Sequence, residues 1–547
     1  MPGPYIMIVS MESQSIPASQ LPHTTRLYRA FLEDFSSVAE FYSHPPTLDG
    51  AREAVSQIRY EPAMRAAVVA RLRAQNRAFG GGAVVERNLD SLAGGAVAVV
   101  TGQQVNLFSG PAYTFYKALT AVRLAAELSA TGIEAVPVFW LASEDHDVAE
   151  INHCLWRGRE GNERIELEQA VTEGEGPSVG TIALGEPIEE LVRRATSELD
   201  GPSAEAVAAA LRAAYRPGES FSTALGKLLG RLLGPFGLIL LDPLDAELHR
   251  LAAPAYLRAL DECSALSGEL IARSARLDHL HLHAQVKVTE RSTLLFLSAA
   301  GQRLAVRRKA EGFAVGEREF GAAELRRKIE SAPETITGSV LLRPIVQDTL
   351  LPTAAYVAGP AESAYYAQAS VVYQRLLGRM PAILPRASVT LVTAHVARLM
   401  EKYGVKAQDA FAGTRQLRDQ MERDSLPKAL AERFTTGEES LKKSLSGLRA
   451  AIQKLDPTLI GALETAESKI LFQFQSLEQK VGRAHAFRSS VLDGHEREII
   501  SLLFPEGELQ ERALCLLPFL ASQASDWLEK LAAQIVPGSA QHQLLFV

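Results

Sequence analysis

The stretch AVAVVTGQQVNLFSGPAYTFYKALTAVRLAAELSATGIEAVPVFWLASEDHD (Ala96–Asp147) decides the fold. Ala96–Val100 is a short unbroken apolar run, the pattern of a strand covered on both faces. The turn-rich TGQQVNLFSGP (Thr101–Pro111) follows, then helical periodicity from about Tyr113 to Ala130, ended by Gly132. A second apolar run, Ala135–Ala142, leads into the acidic cluster Glu144–Asp147. Strand, loop, helix and strand make a βαβ unit, which a right-handed crossover builds into a parallel sheet.

Further strands are expected at Gly237–Leu241 before Asp242-Pro243, Ala354–Val357 before Gly359-Pro360, and Ala382–Leu384 before Pro385-Arg386. Each buried run feeds a polar or glycine loop, the α/β arrangement in which ligands gather at the carboxyl ends of strands. Upstream, Leu27, Ala30, Phe31, Phe35, Val38 and Phe41 recur at helical spacing, and Ala63, Val68, Leu72 and Phe79 continue it to Gly80–Gly82. Residues 155–235 mix charge and glycine around an alanine-rich helix (Ala204–Tyr215). Residues 280–320 alternate in period two (His281, His283, Gln285, Lys287, then Thr293–Leu297 and Leu304–Val306), which predicts an antiparallel meander inserted into or packed on the main sheet. Beyond residue 393, Leu441, Leu445, Leu448, Ile452 and Leu455, then Leu463, Ala466, Ile470, Leu477 and Ala484 after Pro457, predict two long helices folded into an antiparallel coiled coil. The expected division is therefore a helical segment over 1–90 and an α/β core over 91–393 with insertions at about 155–235 and 265–335. A helical coiled-coil domain over 394–540 and a short strand over 541–547 complete it.

The 547 residues correspond to roughly three or four domain-sized units, and 47% hydrophobic with 22% charged residues is a globular balance. With 57 basic and 64 acidic side chains the net charge is −7, so no global field draws the chain to nucleic acid or anionic lipid. Any anion site must be built locally. Cys154, Cys263 and Cys515 form no CxxC pair or zinc cluster, which predicts a reduced, cytoplasmic setting and no structural metal. The N-terminal MPGPYIMIVSMESQSIP lacks the basic region of a signal peptide, and no apolar run is long enough to span a membrane.

Chemistry is expected first in the loop after the leading strand. Gly102 and Gly110 let backbone approach a ligand, and Gln103, Gln104 and Asn106 are polar side chains in the same loop. Ser109, Gly110 and Pro111 stand where a helix begins, so backbone N–H groups with Thr114 and Lys117 make a phosphate or carboxylate cradle, though with neither GxGxxG nor Walker A spacing. A capped strand–helix turn is the purely structural reading of the same residues. In SEDHD (Ser143–Asp147), the acids Glu144, Asp145 and Asp147 with His146 suit a base, an ammonium group or a hydrated Mg²⁺, or simply an acidic helix start; Asn152 and His153 line the same wall. His279, His281 and His283 share one face of the expected meander strand, a set open to metal binding although same-face neighbours on a strand often splay too far for one tetrahedral ion. Cys154 and Cys263 have no histidine and acid at readable spacing to make them nucleophiles. The segment Leu341–Gln368 carries Arg343, Gln347, Asp348, Gly359, Glu362 and Tyr365, and LPRAS adds Arg386 and Ser388, with Arg386 suited to bidentate pairing with a phosphate or carboxylate or, equally, to a surface salt bridge.

At these residues the sequence resembles the BshC family, bacillithiol synthase, the cysteine-adding enzyme. VVTGQQVNLFSGPAYTFYKA, PVFWLASEDHDVAEINH, RPIVQDTLLPTAAYVAGPAESAYYAQ and MPAILPRAS look like that family's blocks in that family's order, and LPHTTRLYRAFLEDFSSVAEFY and the late coiled coil also fit. The resemblance implies a Rossmann-like core with connecting-peptide insertions, similar to class I aminoacyl-tRNA synthetases, and a homodimer through the coiled coil. It departs from those synthetases in lacking clear HIGH and KMSKS signatures. It implies a ligase joining cysteine to the amine of glucosaminyl-malate, the last step to bacillithiol, with ATP or ADP as its nucleotide. In that scheme a cysteinyl-adenylate activates the carboxyl. N–H groups near Gly110 with Lys117 or Arg386 face the α-phosphate, and Glu144, Asp145 and Asp147 hold the cysteine ammonium. His146 or Asp147 takes a proton, and Arg343 and Arg386 bind the malate. The same residues also suit another ATP-dependent amino acid–amine ligase, or a non-catalytic nucleotide-binding coiled-coil scaffold; dense polar loops at several strand ends favour an enzyme.

Overall fold

The computed structural model describes residues 12–168, 176–299, 301–424, 428–486 and 490–547. Residues 1–11, part of the N-terminal stretch that lacks a signal peptide's basic region, lie outside them. Five parallel strands form the central sheet: β1 (Val97–Gln103), β2 (Ala135–Leu141), β3 (Ile239–Leu241), β4 (Thr353–Ala358) and β5 (Ala382–Pro385), in the spatial order β5-β4-β1-β2-β3. Val97 to Gln103 pair in register with Ala135 to Leu141, and Ala355 lies between Val99 and Ala382. The chain winds outward from β1 through β2 to β3, then crosses to the other side of β1 for β4 and β5. This is a doubly wound sheet whose direction of winding reverses between β1 and β4.

The strands are unbroken apolar runs because both faces are covered. Alternate residues go to opposite sides: Val99, Ala355, Val357 and Leu384 meet helix α1 (Tyr113–Ala130) through Ala121, Leu124, Ala125 and Leu128. Ala98, Val100, Val138, Ile239 and Tyr356 face the opposite core. That core includes helices α2 (Ala246–Asp261), α3 (Arg343–Leu350) and α4 (Pro360–Leu376), with the N-terminal helices Pro62–Ala78 and Ala83–Gly94.

The meander is a separate five-stranded antiparallel sheet, built from Ser292–Ala299, Gln302–Arg308, Phe313–Val315, Arg318–Phe320 and Ile336–Gly338. It starts later than the alternation of residues 280–320 suggested. His279 ends the helix Cys263–His279, and His281 has φ 57 in the turn that stops it, where Leu282 N–H donates to Leu277 O at 2.8 Å. The three histidines therefore share no strand face. A hairpin, His153–Gly158 with Gly161–Glu166, precedes a run of helices that includes Ala204–Ala214.

The chain divides into two units. One holds the described residues up to Val389 together with Glu511–Gln543; the other holds Thr390–Gln510 and Leu544–Val547. Glu511–Gln543, which follow the helical hairpin in sequence, cluster with the first unit in space. In the second unit the helices Lys428–Leu455 and Ile460–Ala486 fold back on each other around Pro457–Leu459. Leu441, Leu445 and Ile452 are partly covered, as the heptad spacing requires, but Leu448 and Leu455 are exposed. On the second helix the seam runs through Leu463, Leu471 and Phe474, with Phe474 set against Phe434 at 5.5 Å between ring centroids. Ala466, Ile470 and Leu477 face outward, and the side chain of Ala484 lies outside the described ones. The C-terminal strand spans Gln541–Phe546.

Candidate active site

A cavity of about 890 Å³ opens at the carboxyl ends of β1, β2 and β4, where the winding reverses. Sheets of this type bind ligands at that point because the loops on either side diverge and leave a crevice. Gly102, Gln103 and Gln104 from β1, Glu144, Asp145 and His146 after β2, and Gly359 and Glu362 at the start of α4 line it. Lys117 from α1, Arg343 from α3, Tyr365 and Arg386 complete the set of expected residues at its wall.

Lys117 bridges the two halves of the sheet. Its buried ammonium lies 2.6 Å from Glu362 Oε2 and donates to Gly102 O and Gln103 Oε1. Glu362 also accepts from Gly359 N–H at 2.6 Å and Tyr356 OH at 2.7 Å. Burial pushes the Glu362 carboxyl up, but Lys117 and these donors hold it below the usual carboxylate range; burial pushes Lys117 down against the pull of Glu362. The charge of Lys117 is thus already compensated inside the protein, where the sequence suggested it was available to a phosphate. Gly102 makes this junction fit: a Cβ there would lie 2.9 Å from Trp140 O and 3.1 Å from Trp140 Cβ. Gly102→Ala is expected to destabilise the protein by about 1–3 kcal/mol in thermal or denaturant unfolding, because the strand pair cannot spread without breaking its ladder.

The acidic wall follows β2. Asp145 accepts from Gln104 Nε2 and from His146 N–H, each at 2.8 Å, and its Oδ1 is 3.4 Å from His146 Nδ1. Burial opposes its ionisation, yet these donors hold its carboxyl down at about 2, so it is an anion throughout the neutral range. Glu144 is buried 3.4 Å from His249 Nε2, and burial pushes its carboxyl up against the nearby His249, Arg303 and Arg343. Gln104 also donates to Glu150, a further cavity residue.

The basic wall comes from α3 and the meander. Arg343 donates to Tyr365 OH at 2.9 Å and Gln347 Oε1 at 3.1 Å, and its guanidinium stands over the Trp140 and Tyr356 rings. No ion pair is formed by it among the described residues. Gln347 is fixed in turn by Asp348, which takes Gln347 Nε2 at 2.9 Å and Tyr373 OH at 2.6 Å. Asp348 therefore acts from behind the wall, through Gln347. Arg303 stacks over Phe296 at 3.8 Å and donates to Thr337 and Gly338.

Several expected residues sit elsewhere. Arg386 borders the cavity, but its two terminal nitrogens bind Glu511 at 2.9 and 2.8 Å, so its fork is occupied. Ser388 donates to the same carboxylate at 2.9 Å and contacts His542, away from the cavity. The cradle expected at Ser109 and Gly110 is closed. Gly110 N–H donates to Leu107 O, Thr114 N–H to Pro111 O and Ala112 N–H to Leu514 O, while Thr114 Oγ1 donates to Ser109 O and Cys515 covers Ser109. Phe108 and Ser109 hold φ values of 51 and 76, a conformation kept by the edge-on packing of Phe108 against Trp156 and Tyr215. Asn106 donates to Glu150 O, exposed Asp147 caps the short helix Val148–Ile151, and Asn152 anchors the hairpin through Glu166 and Leu167. Trp140, Arg303, Tyr356, His249 and Glu511 were missed by the sequence reading. Only Trp140 and Tyr356 carried a usable signal, as large side chains at strand ends. Among the described residues no group of three or more His, Cys, Asp or Glu side chains is arranged to hold a metal ion, and no helix is long and apolar enough to cross a membrane.

A doubly wound sheet with inserted subdomains and a cavity at its switch point lined by acidic and basic side chains has the architecture of a Rossmann-like α/β enzyme. Comparison with known families makes this specific. Residues 11–387 match the family model described as bacillithiol biosynthesis BshC, N-terminal Rossmann-like domain, and residues 389–547 match its C-terminal coiled-coil domain. The chain belongs to the BshC family, and its class is that of a ligase of bacillithiol biosynthesis. Among its relatives, each named "Putative cysteine ligase BshC", that of Koribacter versatilis is 41% identical over 94% of this chain and 96% of its own. Those of Solibacter usitatus and Salinibacter ruber are 38% and 32% identical, over 98% and 97% of this chain and 100% and 98% of theirs.

Proposed function

We propose that the chain joins the carboxyl group of L-cysteine to the amine of glucosaminyl-malate, forming bacillithiol, with ATP supplying the activation. The observation that carries this reading is the pairing, in one cavity, of an ionised Asp145 with an Arg343 whose acceptors are all neutral. Cysteine brings an ammonium group and the second substrate brings two carboxylates; the walls are complementary to both. Asp145 holds the ammonium. Arg343 takes a malate carboxylate, with Lys287 and Arg307 of the insertion facing the same cavity. The Lys117–Glu362 pair lines the same cavity. A carboxylate does not acylate an amine in water at neutral pH, so the cysteine carboxyl must first become an acyl phosphate anhydride, whose charge faces the basic wall.

The test is to incubate the purified chain with ATP, glucosaminyl-malate and single amino acids and to identify products by mass spectrometry. Bacillithiol from cysteine only, and only with ATP, is expected. Product from serine or alanine but not from cysteine would remove the substrate assignment, and product without ATP would remove the activation.

The same reading makes the chain a homodimer through its helical hairpin. Leu448, Leu455, Ile470 and Leu477 are 51%, 81%, 40% and 51% exposed, a set of apolar side chains that a second copy would cover. Light scattering should give twice 59.3 kDa, and Ile470→Lys with Leu477→Lys should halve it. A monomer at all concentrations would end this assignment.

A further inference from the structure

Helix α2 carries His249 one turn after its cap at Asp245, which places the ring under the end of β2. The ring is 2% exposed, and neither of its nitrogens has a hydrogen-bond partner. Glu144 Oε1, 3.4 Å from His249 Nε2, is also without one, although Glu144 lines the cavity. Buried polar atoms are nearly always satisfied in folded proteins, so two neighbouring orphans at the wall of a cavity mark a place where chemistry is done. Asp145, the adjacent carboxylate, is unsuited to take a proton because its donors hold it as a strongly stabilised anion.

We propose that Glu144 is the base that receives the proton of the attacking amine, and that His249 is the residue that positions it. The inference rests on the ligase reading above. The amine nitrogen attacks the carbonyl carbon of the cysteinyl phosphate anhydride and the new C–N bond forms. The C–O bond to phosphate breaks with its electron pair leaving on the phosphate, and the surplus amine proton passes to the Glu144 carboxylate. The groups that face Glu144 are few. His249 comes from α2, Arg303 from the meander and Arg343 from α3, all favouring the anion, while Asp242 after β3 opposes it. Tyr256, also on α2, lies against the imidazole with ring centroids 6.3 Å apart. Burial raises the Glu144 carboxyl above its ordinary value, which makes its anion a stronger base.

The full-length protein tests this in two measurements. In the ligase assay, Glu144→Gln is expected to lower kcat about 10²–10³-fold with the KM for cysteine changed less than threefold. His249→Gln should lower the plateau of kcat about tenfold and move its acidic limb to higher pH by about one unit, since the carboxylate loses a neighbour that favours it. Glu144→Gln at the parental kcat, or an acidic limb that stays in place in His249→Gln, would overturn the assignment. The second measurement needs no turnover. The His249 ring signals, identified by their loss in His249→Gln, should change their chemical shifts in Glu144→Gln at neutral pH, because the two side chains lie 3.4 Å apart. Unchanged ring signals overturn the contact. A parental protein that makes no amide, with the ring signals changed, would instead remove the ligase reading and leave the paired side chains.

Discussion

Replacing Glu511 by alanine is expected to cost roughly 3–5 kcal/mol of stability, the largest structural effect of any single change discussed here. The carboxylate is 2% exposed and accepts from both terminal nitrogens of Arg386, from Ser388 Oγ and from Val389 N–H, at 2.8 to 2.9 Å. Burial alone would push it up, but Arg386 and these donors hold it below the usual range. The alanine variant leaves Arg386 buried with Ala387 O as its remaining acceptor. Denaturant unfolding reads the loss directly, and the double change Arg386→Met with Glu511→Met should recover a large part of it, because it removes the stranded charge. A single variant within 1 kcal/mol of the parent would show that the pair carries little. The same cluster sets an acid boundary. Burial pushes the His542 imidazole down to about 4, so the unfolded chain binds a proton there before the folded one does. Its contribution is complete above the ordinary histidine value and is lost as pH falls from about 6.5 to about 4.

Arg343→Met should lower kcat/KM for the dicarboxylate substrate by about 10²–10³-fold, most of it in KM. A buried carboxylate that loses its charged partner is weakened by about 2–5 kcal/mol, and each tenfold is about 1.4 kcal/mol. Because Arg343 also donates to Gln347 and Tyr365, some loss of stability is expected, and a second comparison separates the two effects. With the malate carboxylates esterified, parent and variant should differ by only a few-fold. An equal drop for free acid and ester would mean that Arg343 supports the wall without touching the substrate.

The central sheet was legible because its strands are covered on both faces and so appear as unbroken apolar runs; all five expected runs are strands in one sheet. The cavity was half legible. Residues at strand ends, such as Gln104, Asp145 and Glu362, were found because in this architecture position along a strand predicts exposure to the crevice. What sequence could not give was whether a charged side chain was already satisfied. Lys117 and Arg386 had the right chemistry for an anion, but their partners Glu362 and Glu511 lie far along the chain, and no local spacing announces such a pair. The turn at Ser109–Gly110 looked open for the same reason, since its cover, Leu514 and Cys515, arrives from the other end of the sequence. On the second coiled-coil helix Leu463 lies on the seam as expected, but Ala466, Ile470 and Leu477 face outward. After Pro457 the heptad count restarts, and the phase is fixed by ring packing between Phe434 and Phe474 instead of by leucine spacing.

The separation of Arg386 from Glu511 also has a consequence in time. The arginine leaves the ribosome 125 residues before its carboxylate, and at about 5–20 residues per second the wait is roughly 6–25 s. During that interval the nascent sheet carries an unmatched cation at its rim. The rim of the sheet is therefore completed only once the segment carrying Glu511 has been made.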